Sequence, residues 1–158
     1  MIKYLFLLSA IILIGFNACI KSASDTNVDT QAQLDKDDLL IKDFLASKSI
    51  TAIKSTSGVY YQVIAAGSGS HTYSANSQVS VKYVGRLLNG STFDQSSTSV
   101  TFTLGQLIAG WQIGIPYIQK GGKIRLFIPS YYGYGTRGSG SIPANSVLDF
   151  DIELVNVQ

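Results

Sequence analysis

The chain has 158 residues, a formal net charge of +2, 46% hydrophobic residues and 14% charged residues. That is enough apolar material for one domain with a real core, and too little basic charge, with no basic cluster, for nucleic-acid binding. A single cysteine excludes an internal disulfide, and a single histidine argues against most zinc sites and against histidine-based catalysis.

The N-terminus reads as an export signal. "MIKYLFLLSAIILIGFNAC" carries Lys3, an apolar run from Tyr4 to Phe16, small Ala18 and then Cys19. The run is short for a membrane-spanning helix and suits a signal peptide over residues 1–18. It resembles a bacterial lipoprotein signal, in which Cys19 is lipidated and becomes the first residue of an exported chain anchored to a membrane. Ile20 follows the cysteine where a retention signal would place aspartate, which points to the outer membrane, facing the periplasm. An ordinary signal peptide with a nearby cleavage site is the alternative.

Residues 19–33, with "IKSASDTNVDTQAQ" after the cysteine, carry too little apolar surface to fold and read as a flexible tether. "LDKDDLLIKDFLASKS" then predicts a helix over 35–47, within a helix-and-connection segment 34–57. Asp35 is placed as its N-cap, Asp38 lies three residues on, and Leu34 and Leu39 have the spacing of a hydrophobic staple. Leu40, Ile41, Phe44 and Leu45 form one apolar stripe, which packs on the domain or on a second copy of the chain as a homodimer.

From Gly58 to the C-terminus the period changes to two. "GVYYQVIAA", "QVSVKYVGRL", "SVTFTLG" and "KIRLFIP" each read as a strand. In the last strand Leu148, Phe150, Ile152 and Leu154 face one way and Asp149, Asp151 and Glu153 the other. A core face and a water face imply an antiparallel sheet. Between strands, "GQLIAGWQIGIPYIQKGG" places Leu107, Ile108, Trp111 and Ile115 at helical spacing, with Pro116 ending the helix by about Ile115. The expected class is α+β: a five- to six-stranded antiparallel sheet wrapped over one short helix, with an N-terminal helical extension.

Catalytic machinery is sparse. His71 lies in a polar loop, "GSGSHTYSANS", and suits a solvated residue better than a triad member. Nucleotide, zinc-protease and CxxC motifs are absent. The Asp149, Asp151, Glu153 row is explained by strand alternation as a solvent face, not a cation site. A glycosidase pair would need a partner for Asp94 that the sequence does not offer. What stands out is an excess of aromatics, including Tyr83, Phe93, Phe102, Trp111, Tyr134 and Phe150.

"VSVKYVGRLLNGSTFDQS", "FTLGQLIAGWQIGI", "KGGKIRLFIPSYYGYG" and "IPANSVLDFDIELV" together resemble, in order and spacing, the FKBP-type peptidyl-prolyl cis–trans isomerases, over about 58–158. The resemblance implies a shallow apolar pocket between sheet and helix. Carried over by position, Tyr134, Asp94, Phe93 and Trp111 are the catalytic set, and Tyr83, Phe102, Leu107, Ile108, Ile142 and Phe150 complete the substrate site. Trp111 would be the floor under the proline ring. The Tyr134 hydroxyl and the Ile108 N–H would donate to substrate carbonyls. Asp94 would bond near the rim with Tyr83, or else cap the turn after "NGSTF". No cofactor or metal is implied; the implied partners are proline-containing polypeptides and a tacrolimus-like macrolide inhibitor. On this reading "YYGYGTRGSGSIP" is a glycine-rich flap that turns Tyr134 toward the pocket. Two rivals remain at this stage: the same fold retained as a non-catalytic proline-peptide-binding or assembly module, and an unrelated surface lipoprotein binding glycans on side-by-side exposed aromatics.

Overall fold

The period-two segments build one antiparallel sheet in the computed structural model, which describes the chain from Ala23 to Gln158, with side chains from Asp29 onward. The signal segment and Cys19 lie outside the described residues. The strands are β1 (Ile53–Lys54), β2 (Tyr60–Ala65), β3 (Gln78–Leu87), β4 (Thr92–Thr103), β5 (Lys123–Ile128) and β6 (Leu148–Val157), in the spatial order β1-β2-β5-β6-β3-β4. The expectation of an α+β chain with a five- to six-stranded antiparallel sheet holds, with six strands among the described residues. β6 is central, with Phe150 opposite Leu126 on β5 and opposite Gly85 on β3.

β4 begins earlier than its alternation suggested. The stretch 92–96 already pairs with β3, Thr92 opposite Arg86 and Ser96 opposite Tyr83. Irregularities in the register between Val81 and Tyr83 and between Gly85 and Arg86 break the pleat. This edge strand is mostly exposed, so its side chains carry no strict two-residue pattern.

The inner face of the sheet follows the sequence closely. Ile124, Leu126 and Ile128 from β5, and Leu148, Phe150, Ile152 and Leu154 from β6, enter one buried cluster with Val79, Val81, Trp111 and Ile115. The helix that closes this face, α2 (Ala109–Gly114), is shorter than predicted. Leu107 and Ile108 are extended residues before it, and Pro116 sits in a following 3-10 turn, Ile115–Tyr117. Its two glycines allow close approach to β5: a Cβ on Gly110 would stand 2.4 Å from Ile128, and one on Gly114 2.5 Å from Leu126.

The outer face departs from the expectation of water. α1 runs from Ala23 to Ser47, so residues 23–33 are helical and not a tether. Asp35 is therefore an interior residue and not a cap. Local side-chain bonds help: Gln31 Nε2 donates to Asp35 at 2.8 Å and Gln33 Nε2 to Asp37 at 2.7 Å, both one helical turn apart. Ile41 and Leu45 are buried against Tyr60, Phe127 and Val147, with Phe44 packed beside them. Leu40, placed on the same stripe, is exposed, as is Leu39, so no staple forms with Leu39. Thus α1 covers part of the sheet's second face.

The acidic row on that face is not a plain solvent face either. Asp149 is 2% exposed. Arg125 meets it with two parallel bonds, Nε to Oδ1 at 2.9 Å and Nη2 to Oδ2 at 2.8 Å. Arg86 bonds Asp151 at 2.6 Å and Lys123 pairs with Glu153 at 3.1 Å. Cross-strand cations use up the carboxylates that alternation placed there.

Asp38 ties α1 to the sheet edge through Lys54 of β1 and the Tyr60 hydroxyl at 2.8 Å, and pairs within the helix with Lys42 at 2.7 Å. Burial pushes its carboxyl up, but the bonds from Lys42, Lys54 and Tyr60 outweigh this and hold it down at about 2. A depressed carboxyl stabilises the folded chain above its ordinary value, and that contribution is lost as pH falls through the folded value. The stability difference between wild type and Asp38→Asn, from denaturant titration, should be constant above about pH 5 and shrink between about pH 4 and pH 2. Ile41→Ala should lower the unfolding free energy by about 2–5 kcal/mol in the same measurement, because the fully buried side chain leaves a cavity under α1.

Candidate functional site

Alternation along β3 and β6 points Tyr83 and Phe150 toward α2, and α2 presents Trp111 back to them. The rings meet edge to face: Trp111 and Phe150 centroids are 5.2 Å apart at 90°, and Trp111 and Tyr83 are 5.3 Å apart at 80°. Phe102 of β4 closes the group, 6.4 Å from Trp111 at 88°. Such edge-to-face contacts are favoured by the ring quadrupoles and hold each ring at a defined tilt.

These rings enclose a cavity of about 190 Å³. Trp111, Phe102, Phe150 and Tyr83 line it, together with Leu107 and Ile108 from the turn before α2. Asp94 and Tyr134 stand at its rim. Of the other residues carried over by position, Phe93 packs edge-on against Phe150 at 5.4 Å, behind the cavity wall, and Ile142 is 7% exposed within the core cluster. Trp111 is 4% exposed, which is not the side-by-side exposed aromatic platform of a glycan binder. Its indole N–H has no acceptor among the described residues.

The polar groups divide into engaged and free. The Tyr83 hydroxyl donates to Asp94 Oδ2 at 2.7 Å. The turn after Leu87 is served by Asn89, whose Oδ1 accepts from the Ser91 N–H at 2.9 Å; Asp94 is free for the rim. Burial, followed by the hydrogen bond and charge of Asp94, pushes the Tyr83 phenol up to about 12. Burial and then the charge of Asp94 push Tyr134 up as well. Both phenols therefore stay protonated near neutral pH. The Tyr134 hydroxyl and the Ile108 N–H have no acceptor among the described residues, so two donors are available at the cavity. Gln112, which carries no recognisable sequence signal, fixes the turn that presents Ile108: its Nε2 donates to the Leu107 carbonyl at 2.7 Å.

Nothing at the cavity is arranged for bond making. His71 lies elsewhere, with Nε2 3.0 Å from Ser77 Oγ and its ring edge-on to Tyr73 at 5.0 Å. It is half-buried and bonded, not a freely solvated loop residue. The site offers an apolar, aromatic recess with two neutral donors and one engaged carboxylate. A larger groove of about 530 Å³ lies on the far side of Tyr134, between α1 and residues 130–137. Its lining includes Gln33, Thr136, Arg137 and Asn145, and it lacks the cage of rings, so the smaller cavity is the better site for an apolar ring.

The family model for FKBP-type peptidyl-prolyl cis-trans isomerases matches residues 69–155. FKBP-type peptidyl-prolyl cis-trans isomerase FkpA of Buchnera aphidicola subsp. Schizaphis graminum is 42% identical over 123 residues, covering 76% of this chain and 48% of that protein. FkpA of Escherichia coli strain K12 is 36% identical over 149 residues, covering 91% of this chain and 54% of that protein. The crystal structure of Escherichia coli FkpA superposes with a TM-score of 0.70 at 34% identity, over 85% of this chain and 65% of that one. A peptidyl-prolyl cis-trans isomerase from Pseudomonas syringae pv. tomato superposes with a TM-score of 0.67 at 34% identity, over 82% of this chain and 96% of that one. The chain spans about half the length of the first two relatives.

Asp94 gives the site a measurable electrostatic signature. In an alkaline absorbance titration, Asp94→Asn should move the Tyr83 ionisation from about 12 part of the way toward the ordinary tyrosine value. The shift is partial because burial, the larger cause, remains.

Proposed function

The chain belongs to the FKBP-type peptidyl-prolyl cis–trans isomerase family, and we propose that it accelerates rotation about X–Pro bonds in exported polypeptides by non-covalent binding of a twisted imide in the aromatic cavity. The observation that carries this reading is the pairing of a Trp111-floored apolar cavity with two free donors, Tyr134 Oη–H and Ile108 N–H, where the one carboxylate among the described lining residues, Asp94, is engaged by Tyr83.

Rotation of an imide breaks no covalent bond. Its barrier of about 18–20 kcal/mol comes from resonance, which keeps the C–N bond planar. A millionfold acceleration requires about 8 kcal/mol off such a barrier. The cavity supplies this in three ways. Its rings exclude water from the carbonyl and so disfavour the charge-separated planar form. Tyr134 and Ile108 hold the flanking carbonyls in a bent path. The shape of the recess fits the twisted amide better than either planar isomer. One neutral hydrogen bond is worth about 0.5–1.5 kcal/mol net, so Tyr134 alone cannot carry the rate. Trp111 forms the floor, Phe150 sets the wall with Phe93 packed behind it, Phe102 and Leu107 shape the remainder over a core that includes Ile142, and Asp94 with Tyr83 orders the rim.

Clients are proline-containing polypeptides, and a tacrolimus-like macrolide would compete for the same recess. The leader pattern over residues 1–18 and Cys19 support export and a lipid anchor, with the outer membrane favoured by Ile20. α1 spends Ile41 and Leu45 on its own sheet, leaving Leu39 and Leu40 as the apolar surface for a second copy.

A protease-coupled assay on a proline tetrapeptide tests the reading. Trp111→Ala should lower kcat/KM by about 100-fold or more, since it opens and wets the floor. Phe93→Ala should cost more than Tyr134→Phe, which should stay within about tenfold of wild type. Abolition of activity by Tyr134→Phe alone would overturn the dominance of shape and dryness. Tight macrolide binding by a folded wild type without turnover would instead identify a proline-peptide-binding module.

A further inference from the structure

Resting on the assignment of Tyr134 to the substrate site, we propose that Asp37 of α1 is a positioning residue for the isomerase reaction, holding from behind the turn that carries Tyr134. Asp37 is fully buried, at 0% exposure, and lies outside the aromatic cavity. A buried carboxylate is costly unless its oxygens are satisfied. Here the described partners are neutral donors: Oδ2 accepts from the Ser130 N–H at 2.7 Å and from the Ser130 hydroxyl at 2.6 Å, and Oδ1 accepts from Gln33 Nε2 at 2.7 Å.

Ser130 joins this anchor to the site. It is 1% exposed and opens the 3-10 turn Ser130–Tyr132 at the end of β5. Its N–H and hydroxyl face α1, while its carbonyl accepts from the N–H groups of Gly133 at 3.0 Å and Gly135 at 2.8 Å. Those two residues flank Tyr134. Gly135 takes a positive φ of 56°, and its own carbonyl is held by the Asn145 N–H at 2.8 Å. The Tyr134 backbone is thus clamped on both sides by one carbonyl, and the residue that owns that carbonyl is pinned by Asp37. Attaching α1 to the sheet does not require this carboxylate, because Ile41 and Leu45 already bury against Tyr60 and Phe127. What Asp37 adds is a fixed direction for the turn.

The test is a double-mutant cycle on the full chain, with kcat and KM read on a proline tetrapeptide for wild type, Asp37→Ala, Tyr134→Ala and the pair. Asp37→Ala should raise KM by about tenfold with kcat changed less than about threefold, since it strands the Ser130 N–H and lets the turn drift. In the Tyr134→Ala background the same substitution should change KM by less than about twofold. Amide exchange at Gly133 and Gly135 should quicken in Asp37→Ala, while that of β6 stays as in wild type. Asp37→Asn, which keeps an acceptor oxygen toward Ser130, should recover most of the KM. If Asp37→Ala does not fold, Ser130→Ala takes its place in the cycle: it removes the hydroxyl bond alone and should raise KM by about twofold to threefold, only when Tyr134 is present. An unchanged KM in Asp37→Ala, or an equal factor in both backgrounds, would overturn the proposal. A wild type with no turnover would refute the isomerase reading itself, which is a separate result.

Discussion

The edge-on contact between Trp111 and Phe150, 5.2 Å apart at 90°, is the interaction on which the rest of the molecule depends. Phe150 sits on a central strand, and Trp111 is on the helix that closes the inner face. Their contact fixes helix to sheet and forms the floor and wall of the cavity with the same atoms. Core and site are therefore not separable here. Tyr83 and Phe102 complete the ring arrangement from β3 and β4, and the glycines of α2 let the helix come close enough for it to form.

On the proposed mechanism this sharing has a consequence. A reaction that needs only a dry, shaped recess can be run by core packing, with few polar groups added at the edge. The polar additions are sparse and differentiated. Tyr83 is committed to Asp94, while Tyr134 and the Ile108 N–H remain free to donate. Raised phenol values keep both tyrosines as donors and remove them from acid–base work near neutral pH.

The second face of the sheet works differently. α1 covers Tyr60 and Phe127 with Ile41 and Leu45, and the uncovered part is filled by Arg125, Arg86 and Lys123 against the acidic row of β6. A sheet whose inner face carries the aromatic cavity thus gains a second layer of packing. Through Asp37 and Ser130 that layer also reaches the turn bearing Tyr134.

Much of this was legible in the residues alone. Alternation in "KIRLFIP" and "VLDFDIELV" determined the inner core, because a side-chain period of two leaves no choice of face once one face is apolar. The family pattern, carried by four ordered blocks, pointed to ten residues, of which Phe93 and Ile142 do not line the cavity. Composition, with one histidine and one cysteine, argued against a histidine base and against most zinc sites. Only the tertiary structure decided the rest. Residues 23–33 look like a tether by hydropathy, yet they continue α1, because helix formation is cooperative and this segment extends a helix already fixed by packing. Asp149 alternates as a surface residue, yet a two-pronged bond from Arg125, 24 residues away in sequence, lets it be buried. Asp37 and Ser130 lie 93 residues apart, and neither carries a local signal of the other. Local patterning reports the face a residue is inclined to occupy; which partner waits on that face depends on long-range contacts that periodicity does not encode.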